Sequence, residues 1–201
     1  MAESMRLFVA VDVTDEVRTW AAGVRRTLER SRPAAARGLR WVDPQNLHLT
    51  LRFLGETSTE VADRLCTAFS RPIPQPPFAM RVEGVEWIPP AGRPRVLVAG
   101  VGDGVAHLRA LRAAVDAEVE RIAGIGPEDR PLLAHVTLAR VRDDAAKTVI
   151  AAKDDVAKAC GGPLGFEVPV AGVMLIESEL TPHGPRYTPL VRVQLLAGGE
   201  A

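Results

Sequence analysis

Two five-residue stretches of this 201-residue chain share one pattern, Leu47-His48-Leu49-Thr50-Leu51 and Ala134-His135-Val136-Thr137-Leu138. Successive side chains on a β-strand point to opposite faces, so such a stretch buries its odd positions and turns a histidine and a threonine the other way. A strand of this kind needs a core on one side only. Two of them, at equivalent places in a longer order, predict a chain that repeats itself. The segment Arg6 to Val13 reads as a strand, followed by an amphipathic helix capped at Thr14 or Asp15 and striped by Val17, Trp20, Ala21, Val24 and Leu28. Arg32-Pro33 and Gly38 loosen the chain before the first His-x-Thr strand, Leu47 to Leu54. Thr57-x-x-Glu60 opens a second helix as a capping box, and Phe78 to Ile88 is a third strand.

The second half follows the same plan. Arg95 to Val101 is a strand, and Asp103 caps a helix striped by Val105, Leu108, Leu111, Val115, Val119 and Ile122. Leu132 to Arg140 is the second His-x-Thr strand. A weaker helix runs from Asp143 to Gly161-Gly162, Glu167 to Ile176 is a strand, and Arg186 to Leu196 closes the chain. The two histidines stand 87 positions apart and the opening strands 89 apart. The expected fold is α+β: duplicated β-α-β-α-β lobes, with two mainly antiparallel sheets around a central cleft and helices outside. It forms a single bilobal domain over residues 1–201, whose halves, about 5–90 and 95–196, can exchange terminal strands.

Within the first copy, Leu47, Leu49, Leu51 and Phe53 are assigned to the core face and His48, Thr50 and Arg52 to the other. In the second, His135 and Thr137 stand opposite Ala134, Val136 and Leu138. If the lobes pack about a twofold, the polar edges meet in one cleft holding two imidazoles and two hydroxyls. Imidazole titrates near neutrality, so one ring can act as base while the other acts as acid. The hydroxyls can donate to the oxygens of a phosphoryl group as charge develops there. His48 and His135 are therefore the candidate proton-transfer groups, with Thr50 and Thr137 as phosphate-binding groups. His107 and His183 read as surface residues.

A zinc site is the competing use of the same histidines. Catalytic zinc takes three protein ligands, and neither His-x-Thr strand carries an acidic residue beside its histidine. No metal and no cofactor are expected. Gly-x-Ser-x-Gly, P-loop and dinucleotide fingerprints are absent from the sequence. Its 25 basic and 25 acidic residues cancel, which argues against a bulk nucleic-acid binder but leaves room for a pocket gripping one or two phosphates. Two distant cysteines, Cys66 and Cys160, fit a reducing compartment without disulfides. The apolar run Leu7 to Val13 is too short for a membrane span. A cytoplasmic monomer that makes no membrane contact is expected.

The stretch Trp41 to Gly55, with His48-Leu49-Thr50-Leu51-Arg52-Phe53 at its centre, closely resembles the first signature of the 2H phosphoesterases. Within them it is similar to the bacterial and archaeal RNA 2′,3′-cyclic phosphodiesterases, historically called 2′-5′ RNA ligases. His135 to Arg140 resembles the second signature, and Arg6 to Ala10, Pro94 to Leu97, Glu177 to Leu180 and Tyr187 agree with the flanks. The resemblance implies cofactor-free hydrolysis of a terminal RNA 2′,3′-cyclic phosphate to a 2′-phosphate. His48 would be proton donor and His135 acceptor, with Thr50 and Thr137 holding the phosphate. It also implies substrate contacts from Arg140 and Phe8. By strand parity, however, Arg140 falls on the face opposite His135, and only a bulge, twist or strand end can redirect it. The alternatives are a phosphodiesterase for another cyclic or 2′-5′-linked nucleotide, or a non-catalytic module binding RNA ends.

Overall fold

The computed structural model describes residues 4–160, 165–182 and 184–196. In chain order it contains β1 (Ser4–Asp12), α1 (Asp15–Ser31), α2 (Pro33–Arg37), β2 (Leu39–Trp41), β3 (His48–Ser58), α3 (Thr59–Ala68), β4 (Phe78–Ile88), β5 (Val96–Val101) and α4 (Val105–Ala123). There follow β6 (His135–Val141), α5 (Ala146–Ala151), α6 (Lys153–Cys160), β7 (Gly165–Val170), β8 (Gly172–Thr181) and β9 (Gly184–Gln194). The fold is α+β, as its repeated strand–helix order implies.

Strand order is β7-β4-β5-β6-β3-β1-β8-β9, with β2 beside β6, and these strands pair antiparallel throughout. The nine-stranded sheet has two halves, β7-β4-β5-β6 with the short β2, and β3-β1-β8-β9. They meet between β3 and β6 through a single residue pair, Leu49 with Val136. Neither half is built from one stretch of chain. β4 leaves its own neighbours to lie between β5 and β7, and β8 and β9 return to extend β1.

One continuous core lies between the sheet and the helices. Leu7, Val9 and Val11 of β1 pack with Val17, Ala21, Val24 and Leu28 of α1, and Leu97 and Ala99 of β5 with Leu108, Leu111, Val115 and Val119 of α4. The helices therefore cover one face. On the other face Phe8, Ala10, Met174 and Ile176 form a small separate cluster, with Tyr187 packed against it. That uncovered face carries the histidines.

Local departures from the expected elements have simple causes. Pro33 does not loosen the chain; it starts α2, because a missing N–H costs nothing in the first helical turn. Ser58, not Thr57, caps α3 through the Val61 amide at 3.4 Å. Asp103 makes no cap at α4, whose N-cap is Gly104, while Gly124 ends it in the left-handed region at φ 67°. The weak helix after Asp143 is broken into a 3₁₀ turn and two short helices, and the strand expected over 167–176 is divided between β7 and β8.

Candidate active site

The central pair Leu49–Val136 is the middle residue of one His-x-Thr paired with the middle residue of the other. Both are fully buried on the helix side. Around an antiparallel pair the flanking residues face their counterparts in reverse order, which turns His48 toward Thr137 and Thr50 toward His135. The two motifs thus cross in the middle of the sheet. Both histidines and both threonines are partly buried on its uncovered face.

Each imidazole is oriented by the chain that leads into its strand. His48 Nδ1–H donates to the Asn46 carbonyl at 2.8 Å, and His135 Nδ1–H donates to the Leu133 carbonyl at 2.7 Å. A carbonyl only accepts, so the proton of the neutral ring sits on Nδ1 and Nε2 keeps its lone pair. At His48 that lone pair faces the Thr50 hydroxyl at 3.0 Å. Sequence reasoning missed the carbonyl partners, since any residue supplies one.

The strands continue identically. From His48 to Phe53 and from His135 to Arg140 the burial alternates and then breaks at the same step, with two consecutive residues turned inward. In β3 the pairing to β1 passes from Thr50 to Arg52 and skips Leu51; in β6 the pairing to β5 passes from Thr137 to Ala139 and skips Leu138. Each strand carries a β-bulge three residues after its histidine, and a bulge exchanges the faces of all that follows. This corrects two assignments. Arg52 is not on the histidine face; it is buried among the helices at 2% exposure, 3.3 Å from Asp116 of α4 and bonded to the Gly126 carbonyl. Phe53 is not core; it is 58% exposed on the histidine face. The same device brings Arg140 round to that face.

Around His48 the site is aromatic. Phe8 lies 4.9 Å from the His48 ring, 6.0 Å from Phe53 and 5.2 Å from Tyr187, and Tyr187 stands edge-on to His48 at 5.3 Å. Phe8 itself is only 3% exposed and backs the histidine. The hairpin bearing Tyr187 is tied to the same place, with Asn46 Nδ2 donating to the Pro185 carbonyl at 3.4 Å. Burial holds the His48 pKa below the usual 6.5; its Asn46 bond and Asp12, paired with it across β1 and β3, oppose that, while His135 and Arg140 reinforce it. Burial likewise raises the Tyr187 phenol, against the charges of Arg140 and Arg6. His135 and Arg140 are thus close enough to act on His48 through space. The four residues of the two motifs and Arg140 share one face of the sheet. His107 is elsewhere, stacked on Phe78 at 5.1 Å, and His183 lies outside the described residues. Among the described residues, no group of three or more His, Cys, Asp or Glu is arranged to hold a metal ion. No helix among them is long and apolar enough to cross a membrane.

Residues 8–98 and 101–187 match the family described as LigT-like phosphoesterases. The chain belongs to that family. It is therefore a phosphoesterase, a hydrolase, and among its curated relatives is an RNA 2′,3′-cyclic phosphodiesterase of Thermus thermophilus, 36% identical over 95% of this chain and 90% of its own length. The protein of the same name from Archaeoglobus fulgidus is 35% identical over 92% of this chain and 98% of its own. The crystal structure of a Thermus thermophilus protein superposes with a TM-score of 0.73 at 32% identity, covering 96% of this chain and 99% of that one. Escherichia coli LigT complexed with 3′-AMP gives 0.71 at 29% identity, covering 96% and 99%. The LigT-like resemblance thus extends over nearly the whole chain.

Proposed function

We propose that this LigT-like phosphoesterase hydrolyses the terminal 2′,3′-cyclic phosphate of RNA to a 2′-phosphomonoester by two-histidine acid–base catalysis, without a metal. The observation that carries the reading is the doubled imidazole device. Both rings are held by Nδ1 on the carbonyl two residues upstream, which leaves Nε2 of each neutral ring unprotonated, that of His48 against the Thr50 hydroxyl. The names of the curated relatives favour this substrate class, and the nucleotide complex of the Escherichia coli neighbour favours a nucleotide in the cleft.

In this scheme one Nε2 takes a proton from water as its oxygen attacks phosphorus. The P–O3′ bond breaks, and the other Nε2 gives a proton to the departing 3′ oxygen. The resemblance assigns the first role to His135 and the second to His48. Buried His48 is biased toward its neutral form in the free protein. The anionic diester supplies the missing charge: bound between the rings it favours a cation, and repulsion between the imidazoles limits them to one. The Thr50 and Thr137 hydroxyls and the Arg140 guanidinium hold the non-bridging oxygens.

Adenosine 2′,3′-cyclic phosphate is the test substrate, followed by phosphorus NMR. The expected product is the 2′-phosphate, formed at an undiminished rate after exhaustive chelation. His48→Ala and His135→Ala should each lower turnover by roughly 10²–10⁴-fold, and Thr50→Ala or Thr137→Ala by less. A dominant 3′-phosphate would reverse the acid and base roles, and full activity in folded His48→Ala would end the two-histidine reading.

A further inference from the structure

The chain leading into each His-x-Thr strand supplies the carbonyl that orients its histidine, and the two approaches are built differently. The Asn46 carbonyl belongs to a 3₁₀ turn, Pro44–Asn46, that is closed locally. Asn46 N–H donates to the Asp43 carbonyl at 2.8 Å, and the Asp43 carboxylate accepts from Gln45 N–H at 2.9 Å. The Leu133 carbonyl belongs to residues 124–134, which have no regular structure. Ile125 and Leu132 pack against the core, but every residue of 126–131 is exposed. Burial of apolar side chains therefore does not place that stretch. Two buried arginines do.

Arg112 stands in the buried stripe of α4 with Leu108, Leu111 and Val115, and is 7% exposed. A guanidinium in such a position must find acceptors or cost stability. Its Nη1 donates to the Arg130 carbonyl at 3.0 Å, and its Nη2 to the Glu128 carbonyl at 3.3 Å and carboxylate at 3.4 Å. Its Nε donates to Asp116 at 3.3 Å. Arg52, on the other oxygen of Asp116, donates to the Gly126 carbonyl, and Glu128 accepts from Phe53 N–H at 3.2 Å. Three carbonyls of a stretch without structure of its own are thus fixed to α4 and to β3, the strand that carries His48. Resting on the function proposed above, we infer that Arg112 is a positioning residue for His135: it holds residues 128–130 so that the Leu133 carbonyl meets His135 Nδ1, which keeps the proton of that ring off Nε2.

Only Pro131 and Leu132 lie between the Arg130 carbonyl and Leu133. Proline has a fixed φ and Leu132 rests on the core, so little slack separates the clamp from the carbonyl that takes the imidazole proton. Arg112 itself lies among the helices, on the side of the sheet away from the histidines. It acts through His135 and not on the substrate.

Nitrogen NMR of the two imidazoles, read beside turnover of adenosine 2′,3′-cyclic phosphate, tests this in Arg112→Met and Arg112→Lys. Lysine keeps a cation beside Asp116 and Glu128 but lacks the planar fork that spans two carbonyls, so it carries the test if Arg112→Met fails to fold. In the wild type the neutral His135 ring should be protonated at Nδ1. In either variant it should become a mixture of tautomers, while His48, oriented by its own turn, keeps the wild-type form. Turnover (kcat) should fall, by as much as roughly 10²-fold, with KM near wild type. A wild-type kcat in either folded variant overturns the inference. So does an undisturbed His135 ring, or an equal disturbance of His48, which would mean general loosening. A wild type that leaves the cyclic phosphate intact would instead overturn the proposed reaction, and the tautomers alone would then decide whether Arg112 positions His135.

Discussion

At the scale of single residues, the site is governed by what each imidazole can do with its second nitrogen. Fixing Nδ1 on a carbonyl gives both rings one tautomer, and differences in burial and neighbouring charge then separate them. His48 lies beside Asp12, which is partly engaged by Arg18 at 2.6 Å. Since Asp12 raises the His48 pKa against the larger effect of burial, removing its charge must move the titration to lower pH. Proton NMR of the His48 ring should therefore give a midpoint below 6.5 in the wild type, and a lower one in Asp12→Asn. A wild-type midpoint above 6.5, or an upward move in Asp12→Asn, would contradict this account. The histidines and threonines were legible in the sequence because strand alternation alone assigns them to one face. Their backbone partners, the Asn46 and Leu133 carbonyls, have no side-chain signature.

Among elements, β3 and β6 decide the cleft, and their shared bulge is where sequence reasoning failed. Alternation extrapolated past Leu51 puts Arg52 on the histidine face and Phe53 in the core, and past Leu138 it puts Arg140 in the core. All three are reversed by one skipped partner in each strand. Nothing in Leu51 or Leu138 distinguishes a bulge residue from an ordinary strand leucine. The bulge also explains the buried charge cluster, because it delivers Arg52 to Asp116 and to the Gly126 carbonyl. Removing one member of a buried ion pair leaves the other uncompensated, at a cost of about 3–5 kcal/mol. Arg112 still reaches Asp116, so Arg52→Met should fall near the lower end of that range. Urea unfolding monitored by circular dichroism measures it; an unchanged midpoint would show that the cluster contributes little to stability.

For the whole molecule, the repeat was legible from the matching order and spacing of strands, whereas the partners of β4, β8 and β9 were not. Strand pairing between distant segments leaves no local trace in a single sequence. The exchange of those strands has a consequence for how the chain can be divided. A cut in the loop between β4 and β5 would separate the two copies of the repeat, yet it would not release two stable pieces. The first fragment would carry β1 with its β8 edge bare and β4 with no neighbour from its own half; the second would lack β4 between β5 and β7. Bare edges of this kind seek a partner. Co-expressed fragments cut between Gly92 and Arg93 should purify as one complex and recover phosphoesterase activity, while either fragment alone aggregates or remains unfolded. Size-exclusion chromatography of the separate fragments decides it: two soluble, folded monomers would mean each copy is self-sufficient. The doubling visible in the sequence is thus no longer modular, and each copy serves as an obligatory template for the other.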